Sequence, residues 1–196
     1  MSETLAPTPG QTIGPFFHDA LPYPGDSLLV PPGSAGAVRL HGTVYDGSGA
    51  PVPDALVELR QADPAGRVPR VEGSLRRDGR FTGWGRAATD AAGRYAFTTV
   101  TPGGADGGAA FFAVTVFARG LLDRLFTRAY LPGESDAFLA GLPADDAATL
   151  RVLRDTRPGA GTGAGPGDLR FDIHLQGERE TVFLRYPRHA FPRCGR

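Results

Sequence analysis

The sequence predicts an all-β protein: an antiparallel β-sandwich with an extended N-terminal arm and a short helical excursion. Three observations carry this. Runs with a period of two recur along the chain, each bounded by turn residues. The 28 glycines and 18 prolines separate stretches rich in aromatic and β-branched residues, as tight turns between short strands do. Helical character is confined to residues 135–154.

Residues 1–35 read as the arm. "TPGQTIGPFFHD" at 8–19 sets Ile13, Phe16 and Phe17 on a frame of Pro and Gly that is not expected to form a helix. Leu21, Tyr23, Leu28, Leu29 and Val30 make the arm too apolar for a free tail. Phe16 and Phe17 exposed together on a monomer would be a sticky patch, which predicts association. The sandwich domain spans 36–186. "VRLHGTVYD" alternates, "DGSG" at 46–49 is a turn, and "DALVELRQA" is a second strand ending in the loop "DPAGR". "GRFTGWGRAATD", the turn "DAAG" and "GRYAFTTV" read as an antiparallel pair. After "TPGGADGG" come "AAFFAVTVFA" at 109–118 and "RLFTRAYL" at 124–131. Residues 135–142 and 145–154 are helix-like, with Ser135 as candidate N-cap and Pro143 as the break. A glycine-rich loop, 155–168, leads to the last strands, "LRFDIHLQG" and "RETVFLRY", and 187–196 form a basic tail. About eight short strands with turn signals between them fit a sandwich.

Composition bounds the function. A chain of 196 residues suits one domain. Its 21 basic residues balance 21 acidic ones, so no global field draws nucleic acid or anionic lipid. Every basic residue is arginine; the lack of lysine excludes Schiff-base chemistry and a P-loop. Cys194 is the sole cysteine, which fits a reducing compartment. With no leader-like start and no apolar run long enough to span a bilayer, the expectation is a soluble cytoplasmic protein.

Local motifs are sparse. No G-x-S-x-G elbow is present, and "GAGTGA" at 159–164 lacks the strand before it and the helix after it that a dinucleotide site needs. His18, His41, His174 and His189 are far apart and give no local metal spacing; His41 and His174 read as polar-face residues. In "RLFTRAYL", Arg124, Phe126, Arg128 and Tyr130 share one face. Arg128 then stands between two aromatics, either as a fork for a carboxylate or as half of a surface ion pair.

"VYDGSGAPVPDALVEL" and "TDAAGRYAFTTVTPG" resemble the sandwich shared by intradiol ring-cleaving dioxygenases and transthyretin-like modules. With "QTIGPFF", "FARGLLDRLFTRAYLPGE" and "RFDIHLQGERETVF", residues 7–184 resemble the protocatechuate 3,4-dioxygenase family, its alpha subunits in particular. Metal-bearing members hold ferric iron with two tyrosinates and two neutral imidazoles. The matching positions here are Val68, Gly104 or Ala105, Phe111 and Ala113, and none of these side chains donates a lone pair. The second strand ends Arg-Gln-Ala, with Arg60 where the family's strand has Trp.

The resemblance implies a non-metal alpha subunit that pairs with an iron-bearing beta subunit of the same fold, in a hetero-oligomer of alpha–beta pairs. The implied reaction is cleavage of 3,4-dihydroxybenzoate with O2 to 3-carboxy-cis,cis-muconate. It implies no catalytic residue in this chain, which alone would be inactive. Thr12, Gly14 and Pro15 in the arm, and Arg128, are the implied substrate contacts. The alternative is a stand-alone sandwich that binds a ligand or partner; such a module has no use for "QTIGPFF" or Arg128.

Overall fold

Three aspartates set corners of one design. In "DGSGA", "DPAGR" and "DAAGR", the carboxylates of Asp46, Asp63 and Asp90 accept backbone N–H bonds from residues two and four further on, each at 2.9 Å. The glycine that follows takes φ of +80° at Gly49 and Gly66 and +69° at Gly93, where a side chain would be strained. Hydrogen bonds led by those from Ser48, Arg67 and Arg94 hold the three carboxyls below the usual aspartate range.

The computed structural model describes residues 14, 16–70, 80–155 and 168–186. Among these, the first sheet contains β1 (Ala37–Tyr45), β4 (Arg94–Val100), β7 (Leu153–Arg154), β8 (Asp168–Arg170) and β9 (Ile173–His174). Its order is β4-β1-β8-β7, with β9 also on β1. The second sheet contains β2 (Leu56–Arg60), β3 (Trp84–Ala88), β5 (Phe111–Phe117) and β6 (Leu125–Tyr130), in the order β3-β2-β5-β6.

Alternation decides which side chains fill the space between the sheets. Leu40, Val44 and Phe97 point inward from the first sheet and meet Val57, Leu59, Phe112, Val114 and Val116 from the second. Each fully buried side chain of this size stabilises the fold by about 1.5–3 kcal/mol. One amide lies in this interior. Gln61, 4% exposed, donates to the carbonyls of Ala62 (3.1 Å) and Val100 (2.8 Å) and accepts from the Thr99 hydroxyl (2.6 Å), so it ties the end of β2 to β4.

Several elements differ from the sequence expectation. The arm is not helix-free: α1 covers Phe16–Ala20, and a proline just ahead of a first turn removes no intrahelical bond. Phe17 is buried against Phe117, with centroids 6.1 Å apart, so only Phe16, 78% exposed, remains of the expected aromatic pair. The β3 and β4 runs do not pair with each other: β3 joins β2 and β4 joins β1, and the "DAAG" turn crosses between sheets. The β1–β8 and β1–β9 pairs are parallel, so the first sheet is mixed.

The helical excursion is also shorter than expected. α2 is Ala137–Ala140 and α3 is Ala144–Thr149. Asp136, not Ser135, caps α2, accepting from Leu139 N–H at 2.9 Å. The segment after Thr149 is extended because Tyr130 exchanges backbone bonds with Leu150 and Val152, so pairing beside β6 overrides its helical pattern. "RETVFLRY" forms no strand; bonds from Thr181, Val182 and Leu184 to separate elements hold it. The 156–167 part of the glycine-rich loop and the 187–196 tail lie outside the described residues.

Candidate functional site

The register of β5 and β6 builds the site. Ala113 pairs with Arg128 on one side and with Arg60 on the other, and Phe111 pairs with Tyr130. Inner-face residues of β5 are buried and the alternate ones only partly so. Phe111, Ala113, Arg128 and Tyr130 therefore share the outer face of the second sheet.

Arg128 packs against two rings and is bonded along one edge. Its guanidinium carbon lies 4.6 Å from the ring centre of Phe111 and 5.4 Å from that of Phe138 on α2. Nη1 donates to Tyr130 Oη at 3.0 Å and to Asp136 Oδ2 at 3.3 Å. Nε and Nη2 make no hydrogen bond to any described residue. The flanking aromatics are thus Phe111 and Phe138; Phe126, expected beside Arg128, instead meets Arg124 and Tyr186. The ion pair is present, to Asp136 along one edge of the guanidinium, and the other edge has no partner among the described residues.

Asp136 and Tyr130 are tightly coupled. Tyr130 Oη donates to Asp136 Oδ2 at 2.9 Å. Burial pushes the Tyr130 hydroxyl above its usual range, with the Asp136 bond adding to it, so it stays a donor. Burial opposes ionisation of Asp136, but the Leu139 N–H, the Tyr130 hydroxyl and Arg128 outweigh it and hold the carboxyl below its usual range. The loop before Asp136 is fixed by Glu134, whose side chain accepts from Ala110 N–H at 3.0 Å and whose carbonyl accepts from Arg151.

The four positions that match the family's metal ligands do not fit ferric iron. Val68, half exposed, follows the turn whose Gly66 presses on the Gly104 carbonyl: a Cβ at Gly66 would lie 2.3 Å from that oxygen. A Cβ on Gly104 itself would lie 1.7 Å from the Gly108 carbonyl, so the loop leaves no room for a side chain at 104. Phe111 gives its ring to Arg128. Among the described residues, no three of His, Cys, Asp or Glu gather in a metal-holding group.

The arm enters on the same outer face. Phe17 rests on Phe117, four residues along β5 from Ala113 and hence about 13 Å away. Arg86 donates to the Leu21 carbonyl at 2.9 Å and pairs with Glu58, which pins the segment after α1 to this sheet. Gly14 is exposed, and a Cβ there would make only ordinary contact with Phe16 at 3.7 Å, so nothing among the described residues demands glycine. Thr12 and Pro15 lie outside the described residues.

A cavity of about 1150 Å³ lies elsewhere, on the outer face of the first sheet, lined by Tyr23, His41, Tyr45, Arg94 and Tyr95 among others. Its Arg94 is paired with Asp90 and its Arg170 with Asp172, so it offers charges already satisfied. Sequence reasoning missed Asp136 and Phe138 and saw Phe111 only as an empty ligand position. The signal available was an aspartate three residues before Leu139, an N-cap spacing.

The fold and sequence define a dioxygenase. Residues 13–111 match the Dioxygenase family model, and the dioxygenase domain of a carbohydrate-binding fusion protein from Streptomyces sp. SirexAA-E shares the fold with a TM-score of 0.56 at 25% identity, over 88% of this chain and 99% of that one. The protocatechuate 3,4-dioxygenase alpha chain of Burkholderia cepacia is 40% identical over 92% of this chain and 98% of its own. The beta chain from the same organism is 36% identical over 94% of this chain and 83% of its own. The chain belongs to the protocatechuate 3,4-dioxygenase family of intradiol ring-cleaving enzymes.

Proposed function

We propose that this chain is the non-metal alpha subunit of a protocatechuate 3,4-dioxygenase, working in the cytoplasm with an iron-bearing beta subunit of the same fold. The observation that carries the reading is Arg128: a guanidinium clamped by two rings and one edge, with its other edge unused, on the face whose metal-ligand positions hold no donors. Relatives with alpha and beta chain names match almost all of this chain, which supports an alpha–beta heteromer.

The redox chemistry belongs to the partner's ferric iron. This chain's residues bind, orient and exclude water. Arg128 takes the carboxylate of 3,4-dihydroxybenzoate through its Nε–Nη2 edge, since a planar fork matches a carboxylate in two bonds. The rings of Phe111 and Phe138 fix the plane of that fork and reduce local water, which strengthens the pairing. The arm, through Thr12, Gly14 and Pro15, covers the partner's site, where a glycine lets backbone approach substrate closely. The carbon–carbon bond between the two hydroxyl-bearing carbons breaks, both atoms of O2 enter the new carboxylates, and 3-carboxy-cis,cis-muconate leaves.

The test is protocatechuate-dependent oxygen uptake with iron analysis, on this chain alone and co-purified with the beta subunit. Iron and turnover in the complex alone are expected. Turnover by the isolated chain would overturn the subunit reading, and failure to co-purify would replace it with a stand-alone binding module.

A further inference from the structure

Arg128 carries its own counterion. Asp136 Oδ2 lies 3.3 Å from Nη1, and the same oxygen accepts from Tyr130. The carboxylate cannot swing away, because its Oδ1 caps α2 through Leu139 N–H. The clamp is therefore formally neutral before any ligand arrives.

This matters because ring cleavage changes the charge of the ligand. A catechol carboxylate carries one carboxylate group; breaking the bond between its hydroxylated carbons adds two more. An arginine with no counterion would hold the trianionic product more strongly than the monoanionic substrate. A ligand carboxylate on the Nε–Nη2 edge faces Asp136 across the guanidinium at about 6 Å. Even at the dielectric of water, repulsion at that distance weakens binding about threefold, and more where water is thinned. The product's extra carboxylates feel the same charge.

We propose that Asp136 is a specificity-determining residue for the reaction: its fixed charge moderates the anion affinity of Arg128, so that the monoanionic substrate binds while the polyanionic product is released. This rests on the reading of Arg128 as the carboxylate contact.

The experiment uses the alpha–beta complex with Asp136→Asn. Asparagine remains a good N-cap, and Arg128 keeps the Tyr130 oxygen and both rings. The KM for protocatechuate is expected to fall about threefold and the product inhibition constant to fall further, while the inhibition constant of catechol, which has no carboxylate, stays unchanged. Asp136→Ser, a second uncharged cap, is expected to act in the same direction. Unchanged or raised values for protocatechuate and product would overturn the proposal and leave Asp136 a purely positional residue. Arg128→Ala separates the two readings. If it leaves protocatechuate KM unchanged, the carboxylate contact itself is wrong; if it raises KM while Asp136→Asn fails to tighten product, only the moderating role falls. In the double variant the effect of Asp136 disappears, because the charge it balances has gone.

Discussion

The carbonyl of Phe171 occupies the space a side chain on Gly42 would need: a Cβ at residue 42 would lie 1.8 Å from that oxygen. The same carbonyl accepts the buried Tyr95 hydroxyl at 2.5 Å, and the Phe171 N–H donates to His41 at 2.8 Å. Glycine lets β1 and the 171 segment approach this closely. Replacing Gly42 with alanine must push backbone from backbone, so both bonds go with it. The expected loss is more than the usual ~1–3 kcal/mol of over-packing. A urea midpoint close to the parent's would refute this account.

Gln61→Ala removes three bonds from a site that water does not reach. The Val100 and Ala62 carbonyls and the Thr99 hydroxyl lose their partner, and buried groups left unpaired cost about 1–3 kcal/mol each before relaxation. A melting temperature lower by roughly 5–10 °C is expected. Calorimetry checks this; a shift within error would mean that Gln61 does not tie the sheets.

His41 makes stability depend on pH. Burial, then Arg39, lowers its pKa below 6.5, and Asp168, Asp155 and Asp172 only partly offset them; the Asp155 carboxylate lies 3.6 Å from Nε2. The unfolded chain therefore binds a proton at His41 more readily than the folded one. Stability is present above pH 6.5 and is lost as pH falls through the lowered value. Between about pH 8 and pH 5.5, the parent should lose more stability than His41→Gln, measured by urea titration at each pH. Equal losses would exclude His41 as the cause.

Arg128→Ala in the complex is expected to raise the KM for protocatechuate about tenfold or more, with kcat nearly preserved, as loss of a charge-assisted contact predicts. Arg128→Lys should recover only part of the affinity, because an ammonium has no fork. The isolated chain should melt almost as before, since Asp136 keeps its bonds to Tyr130 and Leu139. Steady-state kinetics decide; an unchanged KM would remove Arg128 from the substrate site.

The sandwich was legible where short-range chemistry decides. The D-x-x-G turns and the alternation of β1, β2, β5 and β6 are local, and they lie close to where the sequence predicts. Pairing was not legible: nothing in "GRFTGWGRAATD" tells that Trp84 lies opposite Arg60 rather than beside β4, because partner choice depends on the whole set of inner faces. Residues 151–154 have a helical pattern and extend because Tyr130 on β6 offers bonds at one end and β8 pairs with Leu153 and Arg154 at the other. At the candidate site, Arg128 was visible from its alternation with aromatics. Its true neighbours were hidden, since Phe111 comes from the paired strand and Phe138 and Asp136 from a helix whose start depends on one capping bond.

The parallel strands β8 and β9 impose an order on biosynthesis. Thr43 on β1 bonds the Asp172 side chain, 129 residues later, so the first sheet stays unfinished at β1 until the chain has been made that far. A nascent chain stopped near residue 155 would display an unpaired strand edge, a template for wrong pairing. The closed first sheet therefore forms only after β9 has been made, and a chain stopped short of it would keep that edge open to wrong pairing.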